Sequence, residues 1–328
     1  MRKYNIPIFI PHEGCPHDCV FCNQRKITGV STTVTPKDAE KIIKEYLGYL
    51  PNNGRIVETA FFGGSFTGLP LEVQEDFYRA ASKFRDETDG IRLSTRPDYI
   101  NDDTLSLAKS YGVTMIELGA QSASDDVLCK NNRGHTFEQT CAAVEKIRSY
   151  GIGAGLQMMV GMYGSAEETD ILTAKRLAEL KPDCARIYPV LVLKDTGLEK
   201  LYLNKEYVPL TLEKATEISA AALEEFDDRG IPVIRIGLHI GEDLREPGNV
   251  IAGPLHPALG ELVESRLWRN RTERRLLQNG IRNKSIEIQV PKNMVSKAIG
   301  QRRCNIEYFK EKYEVRIKIK GAVKKQPK

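Results

Sequence analysis

The sequence predicts an α/β protein in which repeated βα units build a parallel sheet, followed by a small basic module. Short apolar runs alternate with amphipathic stretches of helical length through most of the chain. Glycine, proline and polar residues gather after these runs, where loops at the carboxyl edge of a parallel sheet hold ligands. The charge balance changes near Ser265, because 19 Lys and Arg accompany 5 Asp and Glu from there to the end, against 29 and 39 before it.

Six apolar runs have the length and composition of buried strands: Ile6–Ile10, Val57–Gly64, Ile91–Thr95, Val113–Ala120, Gly153–Gly161 and Ala185–Val192. Five helices are predicted between them: Pro36–Leu50, Pro70–Phe84, Asn101–Tyr111, Thr136–Tyr150 and Ala166–Leu180. A further helix over Thr211–Arg229 and a strand over Pro232–Leu238 follow. This alternation is typical of parallel sheets with helical crossovers.

The composition is ordinary for a soluble globular protein, with 41% apolar and 28% charged residues. We find no signal-peptide pattern at the start of the chain and no apolar run of membrane-spanning length. Thiols stay reduced in the cytoplasm, which favours metal or catalytic roles for clustered cysteines over disulfides. We therefore expect a cytoplasmic protein without a membrane partner.

Three cysteines, Cys15, Cys19 and Cys22, lie together after the first predicted strand with the spacing C-x₃-C-x₂-C. Three thiolates on a [4Fe-4S] cluster leave one iron open to an exogenous ligand, whereas a closed structural site uses four ligands. The alternative is a zinc site completed by His17 or a distant cysteine. The four other cysteines are scattered, and we expect them to be small buried residues: Cys129, Cys141, Cys184 and Cys304.

With Phe21 before its last cysteine, this motif resembles the signature of the radical S-adenosylmethionine (SAM) superfamily. The segments after the later strands resemble the radical domain of the Elongator catalytic subunit, and more distantly oxygen-independent coproporphyrinogen oxidase, from about Ile6 to Ser265. The resemblance implies a partial (β/α)₆ TIM-like barrel, a [4Fe-4S] cluster and SAM. It also implies a 5′-deoxyadenosyl radical and an electron donor such as flavodoxin or ferredoxin. The residues after Ser265 are too few for that subunit's acetyltransferase domain, so the resemblance does not identify a transferred group.

The same resemblance implies contacts with the cofactor at the ends of the strands. The turn of Gly63, Gly64 and Ser65 would receive the methionine amino group, and Arg133 would pair with the carboxylate. Phe21 would lie beside the cofactor. The remaining positions would surround the adenosine: Ser94, Gln121 and Gln157 near the ribose, and Val160 and Gly161 near the adenine. Tyr188, after the sixth strand, is the candidate catalytic residue.

The basic end of the chain is predicted to form a helix over Ser265–Leu277 and then a β-α-α-β module. Its strands are predicted over Ser285–Val290 and Glu314–Ile319, and its helices over Lys292–Ile299 and Cys304–Tyr313. This order resembles a KH domain, in which a G-x-x-G loop clamps the nucleic-acid backbone. The residues expected to contact RNA are Lys297, Gly300, Gln301, Arg302 and Arg303, of which Arg303 replaces the second glycine. The alternative is a small basic cap with no role in RNA binding.

Together these patterns divide the chain into four parts: a radical domain over 1–265, a basic helical linker over 266–283, a KH-like domain over 284–321 and a basic tail over 322–328. We expect an enzyme that modifies RNA, specifically tRNA, by radical chemistry. One alternative is a radical enzyme that acts on a small molecule or a protein. A second is a non-enzymatic RNA-binding protein that uses the cluster structurally.

Overall fold

A computed structural model of the chain describes residues 2–10, 15, 19–23, 34–51, 54–238 and 242–322. Seven strands form one parallel sheet whose spatial order follows the chain order. They are β1 (Arg2–Ile10), β2 (Arg55–Gly63), β3 (Gly90–Thr95), β4 (Val113–Gln121), β5 (Gly153–Val160), β6 (Cys184–Pro189) and β8 (Val233–Ile236). Sequential order with helical crossovers is the arrangement of a βα barrel, here a curled half-barrel with β1 and β8 at its edges. The predicted α/β half-barrel is therefore confirmed.

Seven helices in the described part of the chain follow the barrel strands or cross between them. They are α1 (Pro36–Tyr49), α2 (Leu71–Ser82), α3 (Asp102–Ser110), α4 (Asp125–Lys130), α5 (Phe137–Ser149), α6 (Glu167–Glu179) and α8 (Leu212–Asp227). Side-chain caps define several starts, and the Thr136 hydroxyl accepts a hydrogen bond from the Gln139 amide at 3.2 Å. No helix in the described residues is long and apolar enough to cross a membrane.

Alternate residues of each strand point to opposite faces of the sheet, and the two faces differ in composition. The outer face packs apolar side chains such as Val57, Phe61 and Ile116 against the helices. The inner face instead carries polar and charged side chains and glycines, among them Glu58, Arg92 and Gly155. A large apolar core therefore holds the helices to the sheet and leaves a polar barrel interior.

The structure adds elements that the sequence pattern did not predict. The run Ala185–Val192 divides at Pro189, because proline cannot donate a ladder hydrogen bond. Its remainder forms β7 (Val192–Leu193), which pairs antiparallel with β9 (Val250–Ala252). The short helices α4, α7 (Gly197–Leu203) and α9 (Glu242–Arg245) were also missed. Cys184 is buried as expected, but Cys129 and Cys304 are exposed, so their predicted burial was wrong.

A single long helix, α10 (Leu259–Gln278), links the barrel to the C-terminal module and crosses the predicted domain boundary at 265. The module contains β10 (Ser285–Pro291), α11 (Val295–Ile299), α12 (Cys304–Tyr313) and β11 (Arg316–Ala322). Its two strands are parallel neighbours, with Ser285 opposite Arg316. Phe309 is fully buried in a small core that includes Leu276 and Trp268 of α10. Residues 323–328 of the predicted tail lie outside the described residues.

Candidate active site at the barrel rim

The cysteine segment follows β1 and lies at the carboxyl rim of the barrel. Cys19 is buried, whereas Cys15 and Cys22 are partly exposed. The Val20 amide donates to the Asn131 carbonyl at 3.2 Å, and the Leu198 amide donates to the Val20 carbonyl at 2.7 Å. Within the described residues, no three potential ligands lie close enough to share one metal ion. In a [4Fe-4S] cluster, by contrast, each thiolate binds a different iron. His17, the candidate fourth zinc ligand, lies outside the described residues.

Two buried arginines border the cysteine segment. Arg133 donates from Nη1 to the Cys19 sulfur at 3.2 Å and from Nη2 to the Gly119 carbonyl at 2.8 Å. Its Nε is buried without a hydrogen-bond partner. Arg96 forms a two-point ion pair with Asp98 and also donates to the Arg133 carbonyl. Burial and the neighbouring Cys19 raise the pKa of the Cys15 thiol, whereas Arg96 and Arg133 lower it.

The unpartnered Nε of Arg133 shows that this side chain still has a donor to offer at the rim. A Cβ at Gly119 would stand 2.9 Å from the Gln121 amide nitrogen and 3.3 Å from Arg133 Nη2. Glycine at 119 therefore makes room for the two side chains that the resemblance assigns to the cofactor. This donor set fits the carboxylate of an amino acid.

The turn after β2 lies against the end of β1. Gly63 has φ +113°, and a Cβ there would stand 2.8 Å from the Ile10 carbonyl oxygen. The Gly64 amide donates to that same carbonyl at 2.8 Å. Glycine is required at 63 both by the backbone conformation and by this close approach. The Ser65 hydroxyl is 2.8 Å from the Thr95 hydroxyl and accepts from the Arg96 amide, so it joins the ends of β2 and β3.

The residues expected near the ribose lie on the inner face of the barrel. Gln157 donates from Nε2 to the Gln121 side-chain oxygen at 3.1 Å, which joins β4 to β5. Gln121 holds a positive φ of 65° at the last position of its strand. Ser94, opposite Glu117 in the sheet register, lines the same small cavity as Gly64. The structure therefore brings Gln121 and Gln157 together and places Ser94 beside the Gly-Gly turn.

The end of β5 is fixed through both backbone groups of Gly161. Its amide donates to the buried Asp170 carboxylate at 2.8 Å, and its carbonyl accepts from the Tyr207 hydroxyl at 2.6 Å. Burial raises the pKa of Asp170 to about 7. The side chain of Val160 is fully buried in the outer core, so its backbone alone can face the rim. Sequence reasoning missed Asp170 and Tyr207, since both act through backbone groups of another segment.

Below the rim, charged side chains of successive strands form a buried network. Arg186 on β6 binds both carboxylate oxygens of Glu117 on β4, one at 3.0 Å. Arg92 on β3 lies 3.4 Å from Glu117 and 3.6 Å from Glu58 on β2. Arg186 also donates to the Tyr188 hydroxyl at 3.0 Å. Tyr188, the candidate catalytic residue, is therefore oriented by Arg186, whose charge is balanced by Glu117.

The residues expected to contact RNA share one end of the module but differ in their contacts. Lys297 forms an ion pair with Glu264 of α10. Gln301, Arg302 and Arg303 are exposed, and both arginines have positive φ, 50° and 63°. Gly300 is buried with φ +77°, and a Cβ there would stand 2.5 Å from the Cys304 sulfur. The structure thus presents Arg302 and Arg303 to solvent and gives Lys297 a partner within the protein.

Residues 9–177 match the Radical SAM superfamily, and residues 182–269 match the Radical_SAM C-terminal domain. The chain belongs to the radical SAM superfamily. It is 28% identical over 258 residues to the tRNA uridine(34) acetyltransferase of Methanocaldococcus jannaschii, covering 66% of this chain and 48% of that protein. It is 29% identical over 259 residues to Elongator complex protein 3 of Saccharomyces cerevisiae, covering 65% and 46%. The chain thus spans about half the length of these curated relatives.

Solved structures that share the fold include an archaeal Elp3 and a coproporphyrinogen III oxidase. The archaeal Elp3 of Methanocaldococcus infernus has a TM-score of 0.62 at 21% identity, covering 85% of this chain and 64% of that one. The radical SAM coproporphyrinogen III oxidase of Escherichia coli has a TM-score of 0.52 at 20% identity, covering 70% and 53%. The expected resemblance to the Elongator radical domain is therefore confirmed. Members of the superfamily use a [4Fe-4S] cluster and SAM, which are the cofactors of this chain.

Proposed function

We propose that this protein is a radical SAM enzyme that modifies RNA, with tRNA as the substrate, and that the C-terminal module binds that RNA. Curated relatives named for tRNA uridine(34) acetylation are 27–28% identical to this chain over 63–66% of its length. A reductant such as flavodoxin or ferredoxin would supply the electron in the cytoplasm. The orientation of the module toward the barrel rim carries the proposal.

The long helix α10 sets this orientation. It begins at the rim, because Leu259 packs against Gly237 at the carboxyl end of β8. It ends near the opposite side, where Arg271 pairs with Glu224 and Asp227 at the end of α8. Position along α10 therefore measures distance from the rim.

The loop end of the module attaches to the upper half of α10. Ser296 donates to Glu261 at 3.0 Å, and Asn305 donates to the Ser265 carbonyl at 3.2 Å. The Tyr308 hydroxyl donates to Glu273 at 2.6 Å, further down the helix. Leu259 and Ser265 are six residues apart, which is about 9 Å along a helix axis. The loop that carries Arg302 and Arg303 is thus on the rim side of the module.

The basic charge of the module and of α10 is only partly available to RNA. Arg271 and Arg274 pair with acidic residues of α8, and Lys297 pairs with Glu264. Arg302 and Arg303 have no ion-pair partner among the described residues and can contact phosphates directly. We therefore assign the phosphate contacts to the loop rather than to the basic face of α10.

The residues at the rim hold the reactants in place. When bound, the cluster and SAM supply a carbon radical that can remove a hydrogen atom from an unactivated position. Cys15, Cys19 and Cys22 would hold the cluster, and the Nε of Arg133 would bind the cofactor carboxylate. Asp170 would fix the turn at Gly161, and the network around Glu117 would close the barrel beneath the substrate.

The activity test compares modified nucleosides in tRNA from cells with and without the gene. We expect a nucleoside that is lost on deletion and restored by the wild-type gene but not by Cys19→Ala. Restoration by Cys19→Ala would overturn the radical mechanism. An unchanged nucleoside profile, with SAM cleavage intact in the purified protein, would favour a small molecule or protein as substrate.

The binding test measures tRNA affinity at several salt concentrations. The Arg302→Ala/Arg303→Ala variant should bind tRNA more weakly. The slope of log affinity against log salt concentration should be flatter by about 1–2, because each phosphate contact that is removed no longer releases a counterion. The matched control, Arg271→Ala/Arg274→Ala, removes equal charge from arginines that already have carboxylate partners. Equal losses in both variants would contradict a specific role for the loop.

A further inference from the structure

A β-bulge turns one arginine of β8 into the barrel. Ala185 of β6 pairs with Val233, but the next residue, Arg186, pairs with Arg235, so Ile234 is an extra residue in β8. Ile234 is 44% exposed, which is unusual for an isoleucine in a strand. With strict alternation, Arg235 would share the outer face with Val233. The bulge instead aligns it with the inward-facing Arg186, and bulges commonly redirect side chains beside active sites.

The Arg235 guanidinium lies at the height of Tyr188. Arg235 donates from Nε to the Gly237 carbonyl at 3.2 Å, so its side chain extends along the strand toward the rim. The Gly237 amide in turn donates to the Ile187 carbonyl at 2.9 Å. Tyr188 is the next residue on β6 and points into the same interior. Arg235 and Tyr188 therefore occupy neighbouring positions above the buried ionic network.

The other described arginines on the inner face of the strands have carboxylate partners. Arg92 lies beside Glu58 and Glu117, and Arg186 binds Glu117 at two points. Arg235 has no carboxylate partner among the residues that the structure describes, and its two terminal nitrogens are free for a ligand.

Tyr188 offers a second donor at this place. Its hydroxyl oxygen accepts the hydrogen bond of Arg186 at 3.0 Å, which leaves the hydroxyl proton free to donate elsewhere. The Glu117 carboxylate below is already bound by Arg186 and does not compete for this proton. The β6–β8 side of the interior therefore presents two hydrogen-bond donors, the cationic guanidinium of Arg235 and the neutral hydroxyl of Tyr188.

We propose that Arg235 and Tyr188 form a binding site for an oxyanion of the substrate, a phosphate or a carboxylate, inside the barrel. This inference rests on the proposed radical enzyme and specifies its substrate as one with an anionic group near the reacting atom. Arg235 supplies the charge, and Tyr188 orients the oxyanion through its hydroxyl. The shared chemistry could come from an RNA phosphate or from a small carboxylate, and the test separates these sources.

The experiment uses reconstituted protein saturated with SAM and three probes: tRNA, inorganic phosphate and acetate. Calorimetry measures phosphate and acetate binding, and filter binding measures tRNA. Arg235→Gln should lower the affinity for the probe that binds at this site by about 10–100-fold, because a charge-assisted hydrogen bond is lost. Arg235→Lys should retain part of the affinity, and Tyr188→Phe should lose several-fold. If the variants lose affinity for tRNA and phosphate, the substrate oxyanion is a phosphate. If they lose affinity for acetate alone, it is a carboxylate.

Arg229→Gln is the matched control, because Arg229 pairs with Glu225 at 2.7 Å on α8 and should bind every probe like wild type. The cluster signal in electron paramagnetic resonance and the SAM affinity should remain unchanged in all variants. These readouts distinguish failure of this site from failure of the radical enzyme itself. The inference is overturned if Arg235→Gln and Tyr188→Phe bind all probes like wild type, or if the wild type binds none of them.

Discussion

Removal of Glu117 should destabilise the protein strongly, although this residue is remote from the rim. The residue is 4% exposed, and its carboxylate accepts two hydrogen bonds from Arg186, with Arg92 at 3.4 Å. Glu117→Ala would leave two buried guanidinium groups with Glu58 as their remaining carboxylate neighbour. Breaking a buried ion pair by deleting one partner costs about 3–5 kcal/mol. That is a large part of the roughly 5–15 kcal/mol by which proteins are stable.

The size of the loss separates a buried charge from a simple loss of contact. Arg186→Met alone should also destabilise, because it leaves the Glu117 carboxylate buried near Arg92. The cycle is completed by the single variant Glu117→Gln and the double variant Glu117→Gln/Arg186→Met, which removes both members of the pair and keeps the volume. Since replacing a buried pair by apolar or neutral groups is often nearly neutral, the double variant should be more stable than the sum of the single changes by at least about 2 kcal/mol.

Urea unfolding, followed by circular dichroism at constant pH and salt, measures these differences. Glu117→Ala within about 0.5 kcal/mol of wild type would refute the reasoning, since surface substitutions give changes of that size. Strict additivity of the two single changes in the double variant would refute it as well. Either result would mean that water reaches the network and replaces the missing partner.

Three further predictions concern backbone conformation and pH. Gly63→Ala should cost about 1–3 kcal/mol in urea unfolding and weaken SAM binding, because a Cβ would stand 2.8 Å from the Ile10 carbonyl at φ +113°. The control Gly48→Ala, in open space on α1, should be neutral or stabilising by up to about 1 kcal/mol in the same urea assay. Arg303→Gly should be neutral or stabilising, because glycine adopts φ 63° without strain, and a clear loss of stability would show that the arginine side chain holds the fold. Burial raises the pKa of Asp170 to about 7 against about 3.9 in the unfolded chain, so wild type should lose stability as pH rises from about 4 to 7. Asp170→Asn should not show this loss of stability between about pH 4 and 7. If the stability of wild type and Asp170→Asn depends on pH in the same way, the raised pKa of Asp170 is contradicted.

The barrel strands were predictable because their outer faces are continuous rows of branched and aromatic residues that need a buried partner. Residues such as Val57, Phe61 and Ile116 follow the two-residue period of a strand. The cysteine spacing and the glycines at 63 and 64 are likewise local features of the sequence. Elements with weak periodicity, such as the two-residue strand Val192–Leu193, carry no comparable signal and were missed.

Contacts that depend on register could not be predicted from the sequence. The bulge at Ile234 changes which residues of β8 face inward, and an alternating pattern alone would place Arg235 outside. The pairing of Lys297 with Glu264 likewise depends on how α11 lies against α10. A basic residue in the sequence therefore predicts a charge but not its availability, and this decides which lysines and arginines can meet RNA.

The two proposed contacts with substrate lie on the same side of the barrel. β8 is one edge of the half-barrel, and its outer face packs against α10, whose upper half carries the Arg302 and Arg303 loop. Arg235 faces inward from that same strand. An RNA held by the loop would therefore approach the interior from the β8 side, where Arg235 lies. A nucleotide must leave its helical stack to follow such a path, which favours a single-stranded loop as the substrate over a continuous duplex.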